Sequence, residues 1–390
     1  MLFHLSPNTP ECQVFEVLNN ELLHFLQACI HAPGFNNTLF SRYRANNTDI
    51  ISACWTNAPT QAKFKALWDV LPEEQQSRQE LYDLVIGAQN VQIYFTDTSL
   101  PLPAITNQDI FTALKNLTTH LFEHTKKISS AKIEAGSSIQ AHFQMYLRAN
   151  NSKLCYCCGT EKLSQNREGL SDEEQWCAAY DHILDKAKYP IFSINPRNFL
   201  PTCHICNSKA KGSYQLLIGK KGRRRKAFYP LAKVEPESCY QFCELLPKFL
   251  DIDSFIRGDW DQPLINVKLR FPNAPYGTAK KIVVWREVYQ VPSRVEDEIK
   301  TGFIESVSAG LIEPQNFEEF RERIITKSLR EPADLKKNAW SCWWFRFYQW
   351  LSVQPQNTLE EIWRMFEWKL GLASEDTLDA EDDHLFTFGR

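Results

Sequence analysis

The sequence predicts a mainly α-helical protein with one small α+β module, set between helical N- and C-terminal regions. Three observations carry this. Apolar residues recur at three- and four-residue spacings in both outer regions, two CxxC pairs fall between Cys155 and Cys206, and positive charge gathers around those pairs. Of 390 residues, 43% are hydrophobic and 23% charged, a globular composition that excludes a largely disordered chain. The length predicts two or three domains, so a bound metal would stabilise one module and not the whole fold.

The domains read as a helical region, 1–150; the cysteine module with a basic hairpin, 151–232; a mixed, mostly helical, aromatic-rich region, 233–370; and an acidic tail, 371–390. In the first, Glu16–Ile30 places Val17, Leu18, Leu22, Phe25, Leu26 and Cys29 in one stripe, and Pro33-Gly34 ends the helix. A second helix starts near Pro59 or Thr60, whose hydroxyl can cap it. Further helices are expected over Glu74–Ile86, Asn107–Glu123 and Ser138–Leu147. Beyond Cys243, Lys280–Tyr289 reads as a strand, followed by helices at Asn316–Ile325, Pro332–Trp350 and Thr358–Leu370. Thr358 with Glu361 forms a capping-box pattern. Trp340, Trp343, Trp344, Phe347 and Tyr348 suit one helical face, which implies a core or a partner surface before a platform for base stacking.

No basic stretch followed by an apolar run opens the chain, and no window approaches about 18 uncharged apolar residues, so a soluble, cytoplasmic protein without a membrane partner is expected. The twelve cysteines then sit in a reducing compartment, where clustered thiols hold metal more often than they pair. Cys12, Cys29, Cys54, Cys239, Cys243 and Cys342 have apolar neighbours and read as buried thiols. The remaining cysteines include those of LCYCCGT and PTCHICNSKAKG. A CxxC turn lets two thiolates face one cation, and two such turns complete a tetrahedral set. Cys155, Cys158, Cys203 and Cys206 are therefore the expected ligands of a structural Zn²⁺, with Cys157 left out.

Charge is uneven along the chain. Residues 1–150 hold 10 basic and 13 acidic side chains, net −3; residues 151–230 hold 14 and 7, net +7; residues 231–390 hold 20 and 27, net −7. Between Cys203 and Pro230 lie eight Lys or Arg and no acid: Lys209, Lys211, Lys220, Lys221, Arg223, Arg224, Arg225 and Lys226. Gly219 and Gly222 make the tip flexible. Such a run grips phosphates without reading sequence, or else is a solvated hairpin tip.

The segment DHILDKAKYPIFSINPRNFLPTCHICNSKAKG resembles the core of the HNH endonucleases, the ββα-metal fold, and the upstream CYCCG resembles the zinc-knuckle branch of that family. The matching positions are Asp181-His182, Asn198-Phe199-Leu200, Cys203 to Asn207, and Lys209 or Lys211 with Gly212. Two positions depart from the pattern. Asp185-Lys186 stands where a proline is frequent, and Asn207 replaces a histidine.

The resemblance implies a metal-dependent endonuclease that hydrolyses phosphodiester bonds, in DNA before RNA. It makes His182 the general base, a role an imidazole near its ordinary pKa of ~6.5 suits. Asp181 and Asn207 become ligands of one catalytic Mg²⁺ or Mn²⁺, and Asn198 the residue that pins the loop and orients the imidazole. A compact module between helical regions resembles prokaryotic defence-associated members that act beside an ATPase, which implies such a protein partner for the flanks. Adjacent strand residues face opposite sides, so Asp181 and His182 reach one phosphate only at a bend or a strand edge. A nucleic-acid-binding zinc module without catalysis, and an interaction scaffold using the tryptophan-rich helices, are the alternatives.

Overall fold

Helices dominate the chain, and each sheet has two strands, so the protein is mainly α-helical with small β elements. The computed structural model describes residues 1–369 apart from Asn46, Asn166, 172–173, Gln175, Asp251, 258–263, 312–313 and 330–334. The acidic tail expected at 371–390 lies outside the described residues, as does the start of the helix expected from Pro332. Two compact units are present, 1–240 with 274–290, and 241–273 with 291–390.

The first unit opens with α1, Gln13–Cys29, which buries Phe15, Leu18, Leu22, Phe25, Leu26 and Cys29. It begins earlier than the sequence pattern suggests because Val14 and Phe15 belong to the same buried face. A hairpin of β1, Arg42–Ala45, and β2, Thr48–Ile51, follows; no local pattern announced it. α2, Ala58–Trp68, is capped by Asn57 and not by Thr60, whose amide and hydroxyl both donate to the Asn57 side chain at 3.1 and 2.8 Å. α3, Gln75–Gly87, packs on α1, and α4, Gln108–Glu123, packs on α2. Asn107 caps α4 by accepting from the Asp109 and Ile110 amides. α5, Ile139–Asn150, begins where the helix was expected, with Ser138 as its cap, and ends on Asn151 in the left-handed region, a conformation Asn tolerates.

Among the described residues, three short strand pairs lie in this unit, counting the first hairpin. β3, Ser164–Gln165, pairs with β4, Trp176–Cys177; β5, Tyr180–His182, pairs antiparallel with β6, Phe199–Pro201. A wide helical segment, Ile205–Lys211, follows β6. The run Lys280–Tyr289, expected as a strand, is helical instead: α6 spans Tyr276–Tyr289. Its β-branched residues carry a 3.6-residue repeat, with Ile282, Trp285, Val288 and Tyr289 buried. Burial of that stripe outweighs a β propensity whose whole range is ~1 kcal/mol.

The second unit holds the hairpin of the C-terminal half. β7, Glu244–Phe249, and β8, Ile265–Arg270, pair over their full length, with Leu245, Pro247, Ile265, Val267 and Leu269 on the buried face. α7, Val291–Leu311, packs on β8; α8, Phe317–Ser328, and α9, Ser341–Ser352, pack on each other. α10, Gln356–Lys369, begins before Thr358, so that threonine lies in the first turn and not at the cap. The aromatic run is core. Trp343, Phe347, Phe303 and Phe320 are buried, and ring pairs Phe303–Phe347, Phe303–Phe366 and Phe320–Trp363 lie 5.4–5.8 Å apart. Each such pair adds about 0.5–1.5 kcal/mol beyond the area it buries.

α7 and α9 approach so closely that a Cβ on Gly310 would strike the buried Tyr348 hydroxyl. We expect Gly310→Ala to destabilise the protein by about 1–3 kcal/mol. In a Tyr348→Phe background the next ring atom is 3.5 Å away, an ordinary contact. There the same change becomes stabilising, because alanine favours a helix over glycine by up to about 1 kcal/mol. Thermal denaturation of the four proteins of this cycle reads the sign reversal directly.

Candidate functional site

Residues 154–162 form a knuckle. Leu154 and Lys162 bridge, the Cys155 amide donates to the Glu161 carbonyl at 2.9 Å, and the Gly159 amide donates back to the Cys155 carbonyl at 2.8 Å. Gly159 sits at φ +68, so glycine is required for the turn to bring Cys155 and Cys158 to one side. The second pair is built by the turn after β6: the Cys206 amide points at the Cys203 sulfur, 3.4 Å away. All four sulfurs are buried and lie within 4.8 Å of one another. Cys158 and Cys203 Sγ are 3.8 Å apart. A tetrahedron with Zn–S bonds of about 2.3 Å has an edge of about 3.8 Å, so the donor set fits a zinc-sized ion.

The surroundings favour charge on these sulfurs. The Thr160 amide and hydroxyl both donate to Cys158 Sγ, at 3.5 and 3.2 Å. Burial pushes the Cys155 thiol well up, whereas Cys158, buried too, is held low by its hydrogen bonds to Cys155, Cys203, Cys206 and Thr160. Buried thiolates without a cation would repel one another, and a divalent ion removes that conflict. Cys157 stands apart, its sulfur directed at Met1 Sδ at 3.6 Å. The knuckle is closed from outside by groups far away in sequence. Leu2 and Phe3 donate to the Tyr156 carbonyl, and Trp285 Nε1 donates to the Cys157 carbonyl at 2.8 Å.

β5 carries Asp181 and His182 opposite Leu200 and Phe199 of β6. Their side chains make separate contacts, as strand alternation requires. Asp181, 4% exposed, is paired with Lys211, whose Nζ lies 2.7 Å from Asp181 Oδ1 and 2.7 Å from the His182 carbonyl. Burial raises the Asp181 pKa and the Lys211 charge opposes that rise. His182, 9% exposed, has Nε2 3.0 Å from the Ser193 carbonyl, so Nε2 carries the proton and Nδ1 is the acceptor. Burial pushes its pKa down to about 3, which leaves the ring neutral. Phe122 of α4 and Phe199 lie against it, 4.4 and 4.9 Å between ring centres.

Asn198 is fully buried and closes the loop between the strands. It accepts from the Leu184 amide at 2.7 Å and donates to the Leu184 and Phe192 carbonyls at 3.0 Å. The loop it pins includes Ser193, which holds His182. Asp185, where the HNH pattern favours proline, starts a turn by accepting from the Ala187 amide. Asn207 is half-buried, its amide bonded to the Cys203 carbonyl at 2.9 Å.

The eight basic residues divide into two groups. Lys211 is buried against Asp181. Arg224 donates to the Tyr94, Leu100 and Leu217 carbonyls, and Arg225 to Glu287 and the Gln215 and Leu216 carbonyls. These three have structural partners. Lys209, Lys220, Lys221 and Arg223 are exposed and Lys226 is half-buried; Gly222, at φ +72, turns the tip.

Sequence reasoning missed Trp285, Phe122 and Thr160. The helical repeat in the 276–289 run was the signal for Trp285; nothing local marked the other two. Searches against protein-family models, curated proteins and solved structures give no match to this chain. Among the described residues no helix is long and apolar enough to cross a membrane.

We expect the purified protein to carry about one equivalent of zinc, lost on Cys158→Ser or Cys203→Ser. Thr160→Val, which removes one donor to Cys158 and leaves the four ligands, should weaken zinc binding about tenfold in a chelator competition. Full retention of zinc by the cysteine variants would dismiss the site.

Proposed function

We propose that this chain is a metal-dependent phosphodiester hydrolase of the HNH type, acting on nucleic acid and on DNA foremost. One observation carries the reading. Asp181 and His182 sit on the first strand of an antiparallel pair, Asn198 closes the loop between the strands, and the second strand runs through Cys203 and Cys206 into the helical segment bearing Asn207 and Lys211. That order of parts is what the resemblance implies for the ββα-metal core.

The chain's own groups suit the reaction as follows. His182 is neutral and its tautomer is fixed by Ser193, so Nδ1 can accept a proton from water. A base with so low a pKa is weak, and an anionic phosphate entering beside it would favour the imidazolium and strengthen it. Asp181 and Asn207 offer hard oxygen donors. Asp181 Oδ1 is paired with the Lys211 ammonium, which would have to give way for Asp181 to hold a divalent ion. Such an ion would supply neutralisation of charge on the phosphate and on the leaving oxygen. Lys209, Lys220, Lys221 and Arg223 are exposed for backbone phosphates, and grip of that kind carries little sequence preference.

A second reading has its own observation. The Asp181–Lys211 pair is buried and His182 is 9% exposed, which favours a zinc-stapled module that binds nucleic acid without cutting it.

Incubation with plasmid, single-stranded DNA and RNA, each with Mg²⁺ or EDTA, separates the two. The hydrolase reading expects cleavage that EDTA stops and that His182→Ala abolishes while zinc content and circular dichroism stay unchanged. Binding without cleavage in any arm selects the second reading.

Lys211→Met tests the cation seat without an activity readout. Removing one partner of a buried pair costs about 3–5 kcal/mol, and a divalent ion on Asp181 would recover part of that loss. Millimolar Mg²⁺ should therefore raise the melting temperature of the variant more than that of the parent. An equal response in both proteins would remove Asp181 from the ligand set.

A further inference from the structure

At one end of β5 lies an open cavity of about 570 Å³, lined by Tyr180 but by none of the four cysteines, Asp181 or His182. Lys126, Lys127 and Lys132 line it, and among the described residues no carboxylate does. Phe122 and Tyr180, both half-buried, supply aromatic surface, and the Gln140 amide adds a neutral donor and acceptor.

We propose that this cavity binds a nucleoside phosphate, with the phosphate on the Lys126 and Lys127 ammonium groups and the base against the aromatic wall. The volume lies in the range of small-ligand sites, about 300–1,000 Å³, and exceeds what a bare phosphate needs. Lys126 is held in place by rings: Nζ is 3.8 Å from the centre of Phe122 and 5.4 Å from that of Phe15. Its setting is short of negative charge. Burial pushes its pKa down to about 8, and Glu123, the acid nearest in sequence, is engaged by Lys186 at 2.7 Å. An anion in the cavity is the partner this ammonium lacks. Aromatic faces beside cationic groups are also how proteins hold bases without selecting sequence.

The source of the nucleoside phosphate is either a free nucleotide or one residue of a strand, and both share this chemistry. Binding here stands apart from the hydrolase reading, since it uses neither Asp181 nor His182.

Cys177 gives a direct probe. It lines the cavity and is the exposed cysteine among the described residues, the other eleven being buried. The full-length protein is treated with iodoacetamide, and alkylation of the Cys177 peptide is followed by mass spectrometry with adenosine monophosphate, inorganic phosphate or a thymidine hexanucleotide. Adenosine monophosphate should slow alkylation about tenfold at a concentration about ten times its Kd. Inorganic phosphate at the same concentration should protect much less. Protection by the hexanucleotide alone assigns the site to a strand and supports the proposal equally. Lys127→Gln, an exposed substitution that leaves the fold intact, should weaken protection about tenfold, and Lys126→Gln should do the same in protein that melts like the parent. Unchanged alkylation with every nucleotide probe overturns the proposal, as does equal protection by phosphate alone or protection that survives both substitutions.

Discussion

Four buried sulfurs within 4.8 Å of one another impose the strongest constraint on the first unit. Thiols so placed, away from water, are stable together only when they share a cation or remain protonated, and Thr160 donates two hydrogen bonds that favour the charged form at Cys158. The two pairs bracket the stretch from Gly159 to Thr202, so joining them closes a loop that contains β3 to β6. The strands of that loop are only two or three residues long. Strands so short hold their register because both ends of the segment are anchored. The anchor is itself enclosed, with Met1 to Phe3 on one side and Trp285 on another.

The N-terminal helices are the other support of the strand pair. Phe15 of α1 stacks on Phe199 of β6 at 4.1 Å, Phe122 of α4 stacks on Phe15 at 5.3 Å, and both Phe122 and Phe199 reach the His182 ring. Orientation of the imidazole therefore depends on two helices that carry none of the motif residues. The low pKa of His182 comes from its burial, which disfavours the charged ring. The cavity lined by Phe122 and Tyr180 shares the Phe122 ring with this stack.

Local signals were legible in the sequence and long-range ones were not. The helices expected from Asn107, Ser138 and Asn316 begin there, and each of these residues caps its helix in the structure. The four cysteines were legible because turn geometry fixes which thiols converge. At Thr60 and Thr358 the same kind of signal misled: Asn57 offers a better acceptor to α2, and α10 starts ahead of its threonine. The β-branched run at 280–289 misled for a different reason, since propensity is weaker than the burial of one face. Lys211 is the most instructive residue. In the sequence it belongs to a basic run and reads as a phosphate contact; burial by Asp181 is a tertiary fact that no window of neighbours encodes. Arg224 and Arg225 changed role in the same way, becoming clamps on carbonyls and on Glu287.

The position of Lys211 follows from the sulfur cluster. Cys206 lies in the first turn of the helical segment Ile205–Lys211, whose wide turns are closed by the Gly212 amide on the Asn207 carbonyl at 2.9 Å. Gly212, at φ +45, ends it in a conformation that glycine adopts without strain. Within this segment Lys209 is exposed and Lys211 is buried, so the wide turn selects which ammonium meets the strand. Nζ then bonds the Asp181 carboxylate and the His182 carbonyl together, fixing two consecutive residues of β5 from one point. A charge pair kept only for stability would be a poor choice here, because desolvating both groups offsets much of their attraction and apolar residues of similar size often do as well. What the pair does provide is position: one ammonium, placed by the segment that follows the Cys203–Cys206 turn, ties the Asp181 side chain and the His182 backbone together.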